Sequence, residues 1–130
     1  MKISGEFEVK LEPMETFAQG VDGLNLGRMS IDKEFKGELS AHSKGEMLSA
    51  VTAVKGSAGY VAIEQVVGTL GGKKGSFVLQ HYGIMANGSD SLILEVVPNS
   101  GSDELQGLAG KMNIRIEEGQ HYYDFEYDFV

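Results

Sequence analysis

The sequence of 130 residues contains no cysteine, no tryptophan and only two prolines. Without cysteine, the chain forms no disulfide and offers no thiolate as a nucleophile or a metal ligand. No stretch approaches the roughly 18 consecutive apolar residues of a membrane span, and residues 1–5 lack the apolar run of a secretory signal. These absences predict a cytoplasmic protein that does not act at a membrane.

Basic residues are also scarce, because 11 lysines and arginines stand against 19 acidic residues and give a formal net charge of −8. Binding to nucleic acid depends mainly on lysine and arginine contacts with phosphates, and anionic lipid surfaces repel an acidic chain. The lysines are scattered, apart from the pair Lys73 and Lys74. We therefore predict no nucleic-acid partner.

The spacings that mark metal sites and nucleophiles are missing as well. His42, His81 and His121 lie far apart in sequence, and no His-x-His or His-Glu-x-x-His pattern occurs. Residues 56–59, Gly-Ser-Ala-Gly, lack the Gly-x-Ser-x-Gly spacing of a serine nucleophile. The sequence predicts no metal site and no cofactor, and it identifies no catalytic residue.

Period-two alternation of apolar and polar residues is the main signal that is present, and it predicts strands. It is strongest in residues 122–129, where every second side chain is aromatic. Further strands are predicted at residues 7–11, 28–36, 38–50, 60–70, 76–85, 91–97 and 111–117. The side chains predicted to face inward are Phe7, Val9, Leu11, Ile114, Phe125 and Tyr127.

The 18 glycines punctuate this pattern in a way that suits tight turns. Hairpin turns are predicted at residues 71–75, 86–89 and 118–119, and one helical turn is predicted after Ser102, which would act as its N-cap. Residues 12–26 form the longest loop, either a functional lid or a mobile segment. Eight strands in residues 1–130 predict a single all-β, antiparallel domain, a barrel or a sandwich. Closure into a barrel would remove exposed strand edges and leave room for one small ligand.

Three runs resemble an uncharacterised bacterial family, domain of unknown function 3224. They are residues 45–50 (GEMLSA), 55–64 (KGSAGYVAIE) and 75–81 (GSFVLQH). The resemblance implies a fold similar to allene oxide cyclase, an eight-stranded, calycin-like antiparallel barrel. It implies no activity and no catalytic residues, because a shared barrel does not transfer chemistry.

The hairpin of residues 60–70 and 76–85 carries the one pair of interest, Glu64 and His81. A turn centred on Gly72 and Lys73 places them directly opposite each other; a shift of two keeps them diagonal neighbours on one face, and a shift of one separates them. Inside a barrel they would form a candidate acid–base pair, and outside it an ordinary surface pair. The candidate ligand-binding residues are Glu64, His81, Tyr60, Phe77 and Gln80.

Residues 60–70 are apolar on both faces, since Val61, Ile63 and Val67 alternate with the face that carries Glu64. A strand with two apolar faces is covered on both sides. In a single-layer barrel the outer cover comes from a loop, a terminus or another subunit, so a homo-oligomer is predicted.

Three functions remain compatible with these residues. The leading hypothesis is a barrel that binds a small, mostly apolar molecule. The second is an enzyme of the cyclase or isomerase type that uses the same cavity, and the third is a structural or interaction protein with a filled core. An interior pocket of about 300 Å³ or more would separate the first two from the third.

Overall fold

In a computed structural model, which describes residues 1–130, the chain forms eight strands and one short 3-10 helix. The strands are β1 (Lys2–Met14), β2 (Asn25–Lys36), β3 (Leu39–Val51), β4 (Ala58–Leu70), β5 (Lys73–Ala86), β6 (Ser89–Val96), β7 (Leu108–Glu117) and β8 (Gln120–Phe129), and the helix is Asp103–Leu105. Each strand runs antiparallel to its neighbours, and β8 pairs with β1 to close a barrel. The predicted all-β, eight-stranded antiparallel barrel is confirmed. No helix is long and apolar enough to cross a membrane.

Three hairpins turn on pairs of residues that both have positive φ. These pairs are Gly71–Gly72 (56° and 83°), Asn87–Gly88 (52° and 78°) and Glu118–Gly119 (51° and 79°). Two-residue turns of this kind match the right-handed twist of the strands and favour glycine and asparagine. The sequence predicted all three regions, but the first turn is centred one residue before the predicted Gly72–Lys73.

The predicted helical turn is present, and Ser102 is its N-cap residue as predicted, but without the side-chain bond of a cap. The Ser102 hydroxyl instead accepts the backbone N–H of Ser76 at 3.0 Å and lies 2.7 Å from the Ser76 hydroxyl. The turn is therefore anchored to β5, and its Leu105 side chain is buried in the core.

One end of the barrel, the closed end, is filled by aromatic and aliphatic side chains. Phe77 and Phe125 stack with their ring centroids 6.0 Å apart, and Phe35 meets the edge of Tyr123 at 5.6 Å. The Tyr123 hydroxyl donates to the Lys36 carbonyl at 3.0 Å, which satisfies this buried polar group. The aromatic face predicted for the last strand is thus core, as expected of Phe125 and Tyr127.

The opposite end, the mouth, is open. Leu11 lies across from Ile31 and therefore shares its inward face, yet Leu11 is 44% exposed where Ile31 is 5% exposed. Leu11 faces inward as predicted, but the expectation that it is not exposed is wrong, because it lies beyond the cluster of packed core side chains. Ile114 and Val9 are half-buried.

The strand pairing of the barrel wall is incomplete beside the mouth. β6 and β7 share a single paired position, Glu95 with Lys111. Residues 89–94 of β6 run from that pair towards the mouth without pairing to β7. The junction of β6 and β7 therefore has the fewest paired positions in the barrel wall.

Replacing Phe125 by alanine tests the division between a filled end and an open end. Phe125 is fully buried against Phe77 and Tyr127, so we expect Phe125→Ala to lower the free energy of unfolding by about 3–5 kcal/mol. Urea denaturation measures this. Phe17→Ala is the matched control, because Phe17 is fully exposed and its loss should change stability by less than about 0.5 kcal/mol. Similar losses in both variants would contradict the assignment of the core.

Candidate functional site

Four buried polar side chains, Lys33, Ser43, Glu64 and His81, lie inside the barrel; apart from the tyrosines of the core, no other side chain with a polar group is as deeply buried. They come from β2, β3, β4 and β5 respectively. Each occupies an inward position of its strand, where the neighbours at two residues' distance are mostly buried as well. We call these four residues the polar layer, because they separate the packed closed end from the mouth.

The carboxylate of Glu64 is the centre of the polar layer. Its Oε2 accepts from Lys33 Nζ at 2.9 Å and contacts His81 Nε2 at 2.5 Å, and its Oε1 accepts from the Ser43 hydroxyl at 2.7 Å. No buried side-chain polar atom lacks a hydrogen-bond partner. The buried charge is thus both paired and hydrogen-bonded, which a carboxylate in an apolar interior requires.

Glycine at position 45 makes room for this carboxylate. Gly45 lies directly across from Glu64 on the neighbouring strand. A Cβ atom at position 45 would lie 2.6 Å from the Glu64 Cα and 2.0 Å from the Ile63 carbonyl oxygen. Only glycine allows the two strands to approach this closely beside the buried side chain.

The environment keeps Glu64 ionised. Burial alone would raise the pKa of this carboxyl group, but the hydrogen bond from His81 and the positive charge of Lys33 outweigh burial and lower the pKa to about 2. An ionised carboxylate only accepts hydrogen bonds. The His81 Nε2 atom must therefore carry the proton that it shares with Glu64.

The second ring nitrogen of His81, Nδ1, connects the polar layer to the mouth of the barrel. When Nε2 carries the proton of a neutral imidazole, Nδ1 is an acceptor, and it lies 3.4 Å from the Tyr60 hydroxyl. Burial, and secondarily the charge of Glu64, raises the pKa of Tyr60, so this phenol keeps its proton. Tyr60, His81 and Glu64 form a chain of polar contacts that leads from the cavity into the polar layer.

Lys33 lies on the side of Glu64 that leads away from the cavity. Its ammonium lies 4.9 Å from the ring centroid of Phe7 and 5.4 Å from that of Phe35. Both distances are within the range of cation–π attraction. Lys33 therefore balances the charge of Glu64, whereas His81 and Tyr60 connect that charge to the space above.

A cavity of about 380 Å³ occupies the mouth on the side of β3 to β6. Its lining is mostly apolar, with polar atoms from a few side chains. The apolar side chains that line it include Met47, Val51, Ala58, Met85 and Leu92, and its polar side chains are Ser49, Tyr60, Asp90 and Ser91. Tyr60 is thus the residue that belongs both to the cavity and to the polar chain.

Gly83 sets the position of the Tyr60 ring. The two residues lie directly opposite each other on β4 and β5. A Cβ atom at position 83 would lie 2.2 Å from the Tyr60 ring, so the ring occupies the space that any other residue would fill. This contact holds the Tyr60 hydroxyl near His81.

The register of the hairpin differs from the predicted one by two. Glu64 lies across from Leu79, and His81 lies across from Ala62, because the turn is centred on Gly71 and Gly72. Direct opposition of Glu64 and His81 is therefore wrong, and their placement on one face of the hairpin is correct. The sequence left open which way that face points, and both side chains are buried inside the barrel. The predicted match of Gly68 with Phe77 is also wrong, since Gly68 faces Gly75.

The five candidate ligand-binding residues occupy three different environments. Tyr60 lines the cavity, and Glu64 and His81 lie in the polar layer beneath it. Phe77 is fully buried in the closed end, away from the cavity. Gln80 is exposed and lies across from Ile63 on the outside of the barrel, so it does not face the interior.

Two members of the polar layer were absent from the sequence-based candidates. Lys33 stands between Ile31 and Phe35 on the predicted inward face of its strand, so a lysine at an inward position was a signal that could have identified it. Ser43 offered no such signal, because its strand carries polar residues on both faces. Its role follows only from its 2.7 Å contact with Glu64.

Comparison with known proteins identifies relatives but no activity. The model of the family described as "Protein of unknown function (DUF3224)" matches residues 3–127. A crystal structure is known for a DUF3224 protein with unknown function from Shewanella oneidensis MR-1, whose sequence is 64% identical to this one. The two structures superpose with a TM-score of 0.98, and the match covers 100% of this chain and 97% of the Shewanella chain. No curated protein matches. The family resemblance predicted from the sequence is confirmed.

The lowered pKa of Glu64 predicts a specific loss of stability in acid. A folded-state pKa of about 2 against an ordinary value of 4.5 stabilises the fold above pH 4.5, and that contribution of about 3 kcal/mol is lost as the pH falls from 4.5 towards 2. Urea denaturation between pH 7 and pH 2.5 measures it. Glu64→Gln should flatten this pH dependence, although it also lowers stability at neutral pH by leaving Lys33 unpaired.

Glu8→Gln is the control for this titration, because Glu8 is an exposed carboxylate on the outer wall. It should keep the acid dependence of the unchanged protein. An acid dependence in Glu64→Gln as steep as that of Glu8→Gln would contradict the assignment of Glu64 as the buried anion.

Proposed function

Because the chain belongs to the DUF3224 family, whose description assigns no activity, we propose a function from the geometry of its barrel. The protein binds a small, neutral, mostly apolar molecule in the mouth, with the polar group of that molecule at the Tyr60 hydroxyl. The observation that carries this proposal is the apolar cavity of about 380 Å³ that ends on the Tyr60–His81–Glu64 chain.

The size and chemistry of the cavity suit a small ligand. Binding sites for small molecules typically have volumes of roughly 300–1,000 Å³ and apolar walls with a few polar groups that orient the ligand. Met47 and Met85 line this cavity, and methionine side chains adapt to irregular apolar shapes. The filled-core hypothesis describes the closed end of the barrel, but it does not account for an open, apolar mouth.

The contact between Tyr60 and His81 supports a ligand hydroxyl or carbonyl group. At 3.4 Å this hydrogen bond is long, so the Tyr60 proton is redirected to a ligand oxygen at little cost. The Nδ1 atom of His81 would then need a new donor. A ligand hydroxyl satisfies both groups, because it accepts from Tyr60 and donates to Nδ1; a carbonyl satisfies Tyr60 alone.

Charge favours a neutral ligand over an anionic one. The single positive charge inside the barrel, that of Lys33, is already paired with Glu64, and Asp90 lines the cavity. The chain as a whole carries a formal charge of −8. An anionic ligand would meet no free cation in the site and would be repelled on approach.

Proton transfer is a second candidate function, of the cyclase or isomerase type, and the continuous Tyr60–His81–Glu64 chain favours it. In such an enzyme, His81 Nδ1 accepts a proton from the ligand, and the Glu64 carboxylate stabilises the imidazolium that forms. The Tyr60 hydroxyl donates a hydrogen bond to the ligand oxygen that gains negative charge. The expected likeness to allene oxide cyclase barrels agrees with this candidate and stays a prediction.

Binding is tested with naphthalene and 1-naphthol, which differ by one hydroxyl group. We expect the unchanged protein to bind 1-naphthol about 5–10-fold more tightly than naphthalene, because one additional hydrogen bond contributes roughly 1 kcal/mol. Tyr60→Phe should reduce this preference, because the ligand hydroxyl then keeps only its hydrogen bond to His81 Nδ1. Isothermal titration calorimetry measures the four dissociation constants.

A blocked cavity provides the matched comparison. Leu92→Trp places a large side chain in the cavity and should lower the affinity for both ligands by at least tenfold. Asn113→Trp, at an exposed position on β7, should change neither affinity. Equal binding by the unchanged protein and Leu92→Trp would exclude the cavity as the binding site. An unaltered preference in Tyr60→Phe would exclude Tyr60 as the polar anchor.

The proton-transfer candidate predicts deuterium exchange at the carbon next to a carbonyl group. A neutral apolar ketone such as 2-tetralone, incubated with the protein in deuterated buffer, should exchange faster than in buffer alone, and His81→Gln should abolish the acceleration because it removes the proton acceptor. Proton NMR follows the loss of signal. The proton-transfer candidate is excluded if the unchanged protein does not accelerate deuterium exchange, or if His81→Gln accelerates it equally. Binding would then remain as the proposed function of the site.

A further inference from the structure

The outer wall of β3 to β6 carries an uninterrupted apolar row. Leu48 pairs with Val61, Val61 pairs with Tyr82, and Tyr82 pairs with Ile93, so the four side chains stand beside one another across four strands on the outside of the barrel. Each is between 47% and 54% exposed. Ile63 and Ile84 flank the row and are also exposed. We call these six residues the outer apolar face.

The outer apolar face is large for the surface of a monomer. Six half-exposed side chains of this size present on the order of 500 Å² of apolar surface, which reaches the upper range of the largest patches on monomeric proteins. A stable interface buries roughly 800 Å² on each partner, with an apolar centre and a polar rim. The face supplies such a centre, and Arg28, Glu46, Gln80 and Glu95 lie around it.

Charge favours the outer apolar face over the other walls as the surface where a second copy of the chain binds. Outward positions on the opposite walls carry an excess of acidic residues, with Asp124, Glu126 and Asp128 on β8 and with Glu6, Glu8 and Glu12 against Lys2 and Lys10 on β1. Two copies with a charge of −8 each repel each other through those walls. The outer apolar face has no charged residue among its six members, so it is the part of the barrel wall where two copies approach at the lowest electrostatic cost.

We propose that the protein is a homodimer formed by packing the outer apolar faces of two copies against each other about a two-fold axis. Such an interface uses the same surface patch on both subunits. It lies on the outside of the strands whose inward residues, Tyr60 and His81, serve the cavity. The proposal is independent of the proposed function, because it depends on assembly and not on a ligand.

The acidic neighbours of the row disfavour a two-fold axis parallel to the strands. Glu46 and Glu95 lie at the two ends of the next row, on β3 and β6. An axis parallel to the strands would place Glu46 against Glu95 of the second copy, which is a like-charge contact. An axis along the row instead places Glu46 near Ala50 and Glu95 near Ser91 of the second copy. This second axis brings Val61 and Tyr82 close to the same residues of the second copy.

The assembly is tested by sedimentation velocity at about 50 µM chain, where an interface of standard size is populated. We expect a species of twice the 14.0 kDa chain mass. Val61→Glu buries a charge at the centre of the interface and should raise the dimer dissociation constant by about 100-fold or more. Asn113→Glu adds the same charge at an exposed position on β7 and should leave the dimer intact.

Crosslinking locates the interface independently of charge. Because the chain has no cysteine, Val61→Cys introduces a single thiol near the proposed axis, and a short bismaleimide should join two chains. Asn113→Cys should give no crosslinked dimer. A protein that sediments as a monomer at about 50 µM, a dimer that persists unchanged in Val61→Glu, or crosslinking through position 113 in place of position 61 would each overturn the proposal.

Discussion

An ionised carboxylate inside a barrel is the constraint on which this structure depends. Glu64 has no access to solvent, so its charge has to be satisfied by donors from the neighbouring strands. Lys33, Ser43 and His81 supply them from β2, β3 and β5. A slip of one residue between any two of these strands would move a donor to the outside of the barrel. The carboxylate therefore specifies the relative register of four strands at once.

The polar layer also explains why the two ends of the barrel differ. Below it, aromatic side chains from β5 and β8 fill the interior, and Leu105 from the short helix closes the end. Above it, inward-facing residues such as Leu11 are exposed, and β6 separates from β7 beside the mouth. The closed end supplies hydrophobic stability, and the open end leaves apolar surface for a ligand. The contacts of His81 and Tyr60 connect the buried charge of Glu64 to the open end.

The hairpin of β4 and β5 combines the features on which both proposals depend. Its inward residues, Tyr60, Glu64 and His81, form the polar chain beneath the cavity, and its outward residues, Val61 and Tyr82, form the centre of the outer apolar face. A strand that is apolar on both faces is expected only where both faces are covered. The barrel interior covers one face, and the proposed second copy covers the other. Packing of the second copy against the outside of β4 and β5 would then stabilise the two strands that hold the Tyr60 ring against Gly83.

The alternation of side chains in the sequence was sufficient to predict the strands and the aromatic core, because a period of two follows from strand geometry alone. Alternation left a barrel or a sandwich open, and the family resemblance favoured the barrel. Paired glycines and Asn-Gly predicted the hairpins, because few other residues adopt positive φ. The same local signals placed Glu64 and His81 on one face of their hairpin, but they left open whether that face points into the barrel. The family resemblance rested on runs of residues and was confirmed over residues 3–127.

Tertiary structure alone decided the rest. The hairpin could turn at Gly71–Gly72 or at Gly72–Lys73, and only the pairing of the whole barrel selects the register that places Leu79 across from Glu64. Ser43 joins the site as a diagonal neighbour of Glu64 on the adjacent strand β3, and Lys33 joins it from the position opposite Ser43 on β2. Sequence spacing does not encode these pairings. The exposure of Leu11 likewise depends on how many side chains fill the barrel at its level. Strand geometry fixes which face a residue occupies, but closure of the barrel determines what that residue meets there.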